Sequence, residues 1–537
     1  MVTLQQILQE TTDLFIANDL PKLLPSSQPG QPAKPVDYAK IETELMQRIQ
    51  VQIMTANNAK QKGETKLPMP KYLDFGQIAE LLNAIMTIRV ITDGDSEMRL
   101  LGVYNGQIYD SNLRQLHIAA TKLNGRMNRR DLEEMVARLM LICEEVQVNQ
   151  DRDLIAVNNG IFNFRTKQLE DFSPEKIFLS KSAVDYKAGG VPLKTMADGW
   201  NVEDWLADIS VDQDVCELLW ETASAVLRPY VRWNKTVWLY STAGNNGKGT
   251  YCELLRNLLG PSACVSIPIA DFAKDFALSP LVGKQAIITD ENDVGLYIDK
   301  VAIMKAVVTG DVITINKKFA QPVNYRFRGM MVQCLNEYPK VKDRSDSFYR
   351  RQIFIPFEKC FTGRENKNIK AVYLKDPEVL EYVMYKVLNM DIYELSEPDI
   401  CRMALADYKE NNDPVRQFWA EFEDEFVWDL LPYPFLFDLY KKWYDQNFPK
   451  AQQVSRGSFI NALKTIVIRE SIVWGCSDDN KKKYRVASKM SKPELLIDQY
   501  ELKNWMSKSY VGRDVTRRCT LKVGDPLAES YSGVYRK

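Results

Sequence analysis

Residues Thr236 to Gly260 read TVWLYSTAGNNGKGTYCELLRNLLG, and the reading of the whole chain turns on them. Thr236–Tyr240 is β-branched and aromatic, the make-up of a buried strand. Ser241 to Gly247 are small or polar and suit a tight loop. Lys248 follows, and then Tyr251, Leu254, Leu255, Leu258 and Leu259 recur at helical spacing. Strand, glycine-bearing loop, lysine and helix make a phosphate-binding loop. Its backbone N–H groups turn inward on an anion, the helix N-terminus adds positive potential, and the lysine reaches the β- and γ-phosphates. Gly244, Asn245, Asn246, Gly247, Lys248, Gly249 and Thr250 are the candidate cradle. Two positions depart from G-x-x-x-x-G-K-[S/T]: Thr242 replaces the first glycine, and Gly249 replaces the Mg²⁺-binding hydroxyl, which arrives one residue late as Thr250. By itself the loop also fits an ordinary strand–turn–helix with a surface lysine.

Downstream residues favour the first reading. Ala286–Thr289 is a buried-strand run ending in Asp290-Glu291. An acidic pair at a strand end can hold Mg²⁺ and polarise an attacking water. GMMVQCLNEYP (329–339) is a further buried strand with Asn336 at its end, an amide placed to orient water. Arg350 and Arg351 precede the apolar run 352–357. Adjacent arginines there suit a finger reaching a neighbouring subunit's γ-phosphate, although surface salt bridges are the commoner use of such a pair. Between these elements, residues 299–327 read as a helix with Lys305, a Gly310-Asp311 turn and a hairpin. Lys317, Lys318 and Phe319 form its tip, a lysine pair and an aromatic able to grip phosphates and stack on a base.

The bulk properties set limits. The chain has 537 residues, enough for several domains, and Lys+Arg 70 against Asp+Glu 71 leave a net charge of −1. Any nucleic-acid surface must therefore be local. Nine scattered cysteines, with no C-x-x-C pair, argue for a reducing compartment and against a zinc site. His117 is the only histidine, which excludes histidine-based metal sites and triads. No run approaches the ~18 apolar residues that a membrane span needs.

Taken in order, residues 1–37 read as a helix and a Pro-rich linker. Residues 38–200 read as a mixed α+β module, with helices at 38–58, 76–89, 111–123 and 129–146 and a hairpin turned by Asn159-Gly160. Residues 201–410 hold the phosphate loop and end in a helical lid from 376. Asn412–Val415 breaks the chain at the start of a last region, 411–537, in which aromatics are dense from 415 onward. There Lys481, Lys482 and Lys483 follow an Asp-Asp-Asn turn and fit a wing hairpin that contacts DNA.

The ordered set GNNGKGT, IITDEN, Lys305 to Asp311, the lysine tip, CLNEYP and YRRQIFIPF resembles a superfamily III helicase. More narrowly, it is similar to the helicase part of the phage/plasmid and poxvirus primase–helicase family. LIAVNNGIFNFRTKQLEDFSPEKIFLSKSAVDY resembles the domain that precedes the helicase there, and 435–464 its winged-helix region. The resemblance covers roughly residues 95–465. It implies an AAA+-like P-loop core with a central, mainly parallel sheet, and a C-terminal winged-helix-like domain. It further implies ATP and Mg²⁺ as cofactors, with Asp290 and Thr250 on the metal. Lys248, Glu291, Asn336 and Arg350 or Arg351 would serve hydrolysis, and Lys305, Lys317 and Lys318 would face DNA. The expected protein is a homo-hexameric replicative helicase in a bacterial host cytoplasm. It would translocate 3′→5′ on single-stranded or forked DNA, contact origin duplex, and work beside a separate primase or polymerase. No paired-carboxylate strand motif precedes the resembling region, so no primase activity of its own is expected. The alternative is an origin-binding initiator whose ATPase is a switch.

Overall fold

The computed structural model describes all residues except 1–2, 26–34, 95–96, 294–296, 299–300, 317–321, 342–344, 448–453 and 478–481. Its contacts divide the chain into two units. One comprises Met1–Asp343 and Arg350–Arg402, and the other Arg344–Tyr349 and Met403–Lys537.

The first unit begins with a helical module. Helices Leu4–Asn18, Tyr38–Asn58, Phe75–Ile85, Arg114–Leu123 and Arg129–Ile142 share one core. The four-residue spacing of Ile41, Leu45, Ile49 and Ile53 places all four on one fully buried stripe of the second helix. Two helices stop short of the expected 89 and 146. After Ile85 and Ile142 the β-branched residues turn to strands instead. Ile88–Thr92 and Glu145–Gln147 pair in parallel within a four-stranded sheet. Tertiary pairing here overrides helix propensity.

A three-stranded meander follows, Leu154–Val157, Gly160–Asn163 and Gln168–Glu170. The turn dipeptide is Asn158-Asn159, because Val157 pairs with Gly160. Gly160 is required for a reason other than the turn: a Cβ there would lie 2.6 Å from the Glu170 carbonyl oxygen. Ile155, Val157, Phe162 and Phe164 pack into the core of the central sheet rather than that of the helical module.

The central sheet has five strands, β1 (Thr236–Tyr240), β2 (Cys264–Val265), β3 (Ala286–Thr289), β4 (Met330–Leu335) and β5 (Gln352–Pro356). All pairings are parallel and the order is β5-β1-β4-β3-β2. Every residue of β3, β4 and β5 is buried, as two-sided coverage of a parallel sheet requires. Helix α1 (Lys248–Leu259) and helices Gln213–Val226 and Pro377–Leu388 cover one face, where they share a core with Val237, Leu239, Ile288, Val332 and Ile355. The order inserts β4 between β1 and β3. The end of β4 therefore stands between the phosphate loop and the acidic pair. The expected lid from 376 to 408 is two helices, Pro377–Leu388 and Asp399–Asn412, separated by a loop. The expected hairpin is present as Val312–Ile315 against Val323–Arg326.

The second unit packs helices Pro414–Phe422, Tyr433–Asn447 and Arg456–Glu470 around an aromatic core that includes Phe418, Trp428, Phe435, Tyr440 and Trp474. Asp413 caps the first of these through Val415 N–H, and Pro414 fits its first turn, so the break at 412–415 starts a helix. An antiparallel sheet runs Leu430–Pro432, Gly533–Arg536, Trp474–Cys476. Tyr484–Arg485 pairs with Ser530–Tyr531. Among the described residues of the expected 481–486 wing, Tyr484–Arg485 thus pairs with a distant strand and not with a local one: the partner lies beyond an inserted run of short helices, which the sequence pattern could not indicate.

Candidate nucleotide-binding site

The loop between β1 and α1 is shaped by two left-handed residues, Asn245 at φ 52° and Gly247 at φ 93°. Asparagine tolerates that region, and glycine is at ease in it. At Gly247 space adds a second demand, because a Cβ would meet Ile209 Cγ2 at 3.0 Å. The loop is latched from within. Asn246 is buried; its Nδ2 donates to the Ala243 carbonyl, and its Oδ1 accepts from Lys248 N–H at 3.3 Å. It is also latched from outside, where Phe361 N–H donates to the Asn245 carbonyl at 2.8 Å.

Helix α1 has no side-chain cap and no acidic residue in its first turn. The N–H groups of Gly249 and Thr250 have no partner among the described residues and are left for an anion. Lys248, the first helical residue, is 6% exposed. Its Nζ donates to the Ser241 carbonyl at 3.3 Å and to Asn336 Oδ1 at 3.2 Å. It has no carboxylate partner among the described residues, and burial lowers its pKa. A buried ammonium held by two neutral oxygens is an incomplete arrangement, and a phosphate would complete it.

The acidic pair divides. Glu291 is exposed and has no hydrogen-bond or ion-pair partner among the described residues. Asp290 is engaged by Arg256, two turns along α1, through Nη2–Oδ1 at 2.8 Å and Nη1–Oδ2 at 3.3 Å. Partial burial pushes the Asp290 carboxyl up, but the Arg256 hydrogen bond and charge prevail and hold it below its ordinary value. The Thr250 hydroxyl has no partner among the described residues. No cluster of three metal-ligating side chains occurs among them either. This donor set, one hydroxyl and two carboxylates, suits a Mg²⁺ ion held largely through water and phosphate.

Asn292 is a site residue that the sequence reading passed over. Its Nδ2 donates to Gln333 Oε1 and to the Cys334 carbonyl, each at 3.0 Å, and its Oδ1 accepts from Ile269 N–H at 2.9 Å. It ties the end of β3 to β4 and so fixes the acidic pair relative to Asn336. Beside the loop opens a cavity of about 490 Å³, lined by Trp200, Trp205, Asp208, Phe361, Arg364 and Ile369 together with Gly247 and Thr250. The Trp200 indole N–H is buried there without a partner. The Trp200–Trp205 pair upstream was the available signal, some forty residues before the loop.

Other candidates lie apart. Gln352 is in register with Thr236, so Arg350 and Arg351 stand where β1 begins. The phosphate loop follows the other end of that strand, roughly 16 Å away at ~3.3 Å per residue. Arg350 is exposed. Lys305 is half-buried on helix Val301–Thr309. Lys317, Lys318 and Phe319 lie outside the described residues, as does Lys481. Lys482 and Lys483 are exposed.

Three family models match the chain. Residues 40–211 match D5 N terminal like, residues 239–351 a family of unknown function (DUF5906), and residues 410–505 Poxvirus D5 protein-like. Segments similar to D5 models thus precede and follow, in the sequence, the residues that build the central sheet. No curated protein matches it. Similar solved structures include two described as the NrS-1 C-terminal region in apo form. One is 14% identical with a TM-score of 0.40, over 74% of this chain and 86% of that one. The other is 12% identical with a TM-score of 0.41, over 78% and 98%.

Proposed function

We propose that the protein is an ATP-driven DNA helicase of the D5-like primase–helicase kind, serving the replication of a phage or related element. The observation that carries this reading is Lys248, a buried cation at the start of α1 with no carboxylate partner among the described residues. The strand order supports it. Inserting β4 between β1 and β3 sets Asn336 beside Lys248, with the acidic pair on the next strand. This order supports the reading of an AAA+-like P-loop core. The 490 Å³ cavity that continues from the loop suits a nucleobase and ribose.

Hydrolysis is phosphoryl transfer to water by positioning and electrostatics. Lys248 and the α1 N–H groups draw charge from the β- and γ-phosphates. Glu291, whose carboxylate has no partner among the described residues, polarises the attacking water, and Asn336 orients it. Mg²⁺ supplies further charge neutralisation, with Thr250 and Asp290 as this chain's donors. Arg350 or Arg351 cannot serve its own loop across the length of β1. Either would complete a neighbouring subunit's site, which is why a homo-hexameric ring is proposed. Lys305, Lys317, Lys318 and Phe319 would move single-stranded DNA 3′→5′. The helix order and the three-stranded antiparallel sheet of the second unit support a winged-helix reading, with Lys481, Lys482 and Lys483 as phosphate contacts. That unit also keeps the second reading alive, an initiator whose ATPase is a switch.

Strand displacement on a forked substrate is the test. A motor separates strands with ATP and stops when Lys248 is replaced by Ala. A protein that hydrolyses ATP and binds duplex but displaces nothing is a switch.

A further inference from the structure

The central sheet has a second cation-rich end. Where β1 and β4 begin, opposite the phosphate loop, lies a cavity of about 120 Å³. Its lining includes Arg232, Asn234, Thr309, Gly310, Arg326 and Arg328. Arg328 faces Asp93, with Nη1–Oδ2 at 3.9 Å. Arg232 and Arg326 have no carboxylate partner among the described residues. Among the described residues the Arg326 guanidinium donates to the Gly310 carbonyl, at 3.4 Å, and its Nε is buried with no hydrogen-bond partner. The backbone brings the two residues to the cavity. Arg326 pairs with Val312 at the root of the hairpin, and Arg232 sits in the turn that leads into β1. Gly310 at φ 67° starts the hairpin at the cavity's rim.

We propose that this cavity is an oxyanion site, in which Arg232 and Arg326 hold a phosphodiester group of a nucleic-acid strand at the root of the Val312–Arg326 hairpin. The inference rests on the DNA-binding reading above. Guanidinium groups present paired N–H donors that match phosphate oxygens. Two of them without carboxylates, around a polar cavity several times the ~30 Å³ of a water, fit such a group. The position separates this site from the nucleotide. It lies one strand length from Lys248, and β4 runs directly from Gly329 at the cavity to Asn336 at the loop.

The test is fluorescence anisotropy of a labelled oligo-dT strand with the full chain, titrated at several salt concentrations. The proteins are the wild type, Arg232→Gln, and Arg232→Gln with Arg326→Gln, with thermal melts as the check on folding. The double variant should bind about tenfold more weakly. Its slope of log K against log[salt] should be shallower by about 0.7 per lost phosphate contact. Arg232 is exposed, so the single variant keeps the test open if the double variant misfolds, and it should shift the slope in the same direction. Equal affinity and equal slope in a folded variant overturn the proposal. Calorimetry with inorganic phosphate at matched ionic strength is the second arm. Phosphate binding that the variant loses while oligonucleotide binding persists assigns the cavity to free phosphate and overturns the nucleic-acid source. A wild type that binds no oligonucleotide overturns the DNA reading itself, and this inference with it.

Discussion

The two ends of the central sheet repeat one electrostatic situation in different settings. At the end where β1 and β4 finish, Lys248 is buried against neutral oxygens. At the end where they begin, Arg232 and Arg326 surround a polar cavity. Among the described residues, Lys248 at one end and Arg232 and Arg326 at the other have no carboxylate partner, and both ends therefore favour an anion. They differ in preorganisation. The first has a helix N-terminus and a latched loop, both set by one contiguous segment, beside a base-sized cavity. The second has only side chains on loops and a hairpin root. That contrast suits a tightly held nucleotide at one end and a strand that must slide at the other.

Replacing Lys248 with Ala should give the largest effect. Removing one preorganised donor from a developing anion typically costs 10²–10³ in rate. Steady-state ATP hydrolysis should fall at least about 10²-fold. Near-normal hydrolysis would erase the distinction between the two ends.

Asn292→Ala comes next. It removes three hydrogen bonds and leaves Ile269 N–H and Gln333 Oε1 short of a partner. We expect a loss of about 1–3 kcal/mol in denaturant unfolding. The acidic pair should also lose its register with Asn336, lowering kcat more than it raises KM. An unchanged kcat would mean that β3 and β4 align without this tie.

Gly247→Ala follows, at about 1–2 kcal/mol for a left-handed residue with a Cβ. The 3.0 Å approach to Ile209 adds to that. Gly244→Ala is the control, because a Cβ there meets nothing within 4 Å and its φ is not positive. Equal melting temperatures for the two variants would mean that the loop relaxes freely.

The preorganised end was the more legible one in the sequence, and the reason is physical. A loop that wraps an anion with consecutive N–H groups must be contiguous, so Gly244 to Thr250 show as a motif. Asn336 became a candidate because it ends an apolar run, and the inserted strand then set it against Lys248. The other end has no such signature. Arg232 and Arg326 are far apart in the chain and meet only because β1 and β4 are neighbours. The Asn292 tie, the Asp290–Arg256 pair and the partner of Tyr484–Arg485 are likewise products of tertiary pairing. Local patterns also misled in places: apolar, β-branched residues after Ile85 and Ile142 prolonged the helical reading until parallel pairing claimed them. The segment 344–349 packs with the second unit although its neighbours on both sides belong to the first, a crossing that no composition shift marks.

The smallest effect tests whether Asp290 is available to a metal. Arg256 holds its carboxylate, but the two side chains are 24% and 39% exposed, so solvent screens the pair. Arg256→Gln should cost no more than about 1 kcal/mol at neutral pH. The sign follows from linkage. Asp290 has a lowered pKa when folded, so the pair's stabilisation is complete above the unfolded carboxyl's value and disappears as pH falls through the folded one. Wild type and variant should therefore differ in melting temperature at pH 7 and converge under acid. The catalytic consequence runs the other way. Freed of its guanidinium, Asp290 offers both oxygens, and Mg²⁺ should support half-maximal ATP hydrolysis at a lower concentration in Arg256→Gln than in the wild type. A Mg²⁺ requirement that stays fixed or rises would show that Asp290 serves the arginine rather than the metal. Thr250 and Glu291 would then be left as the chain's own hold on the ion.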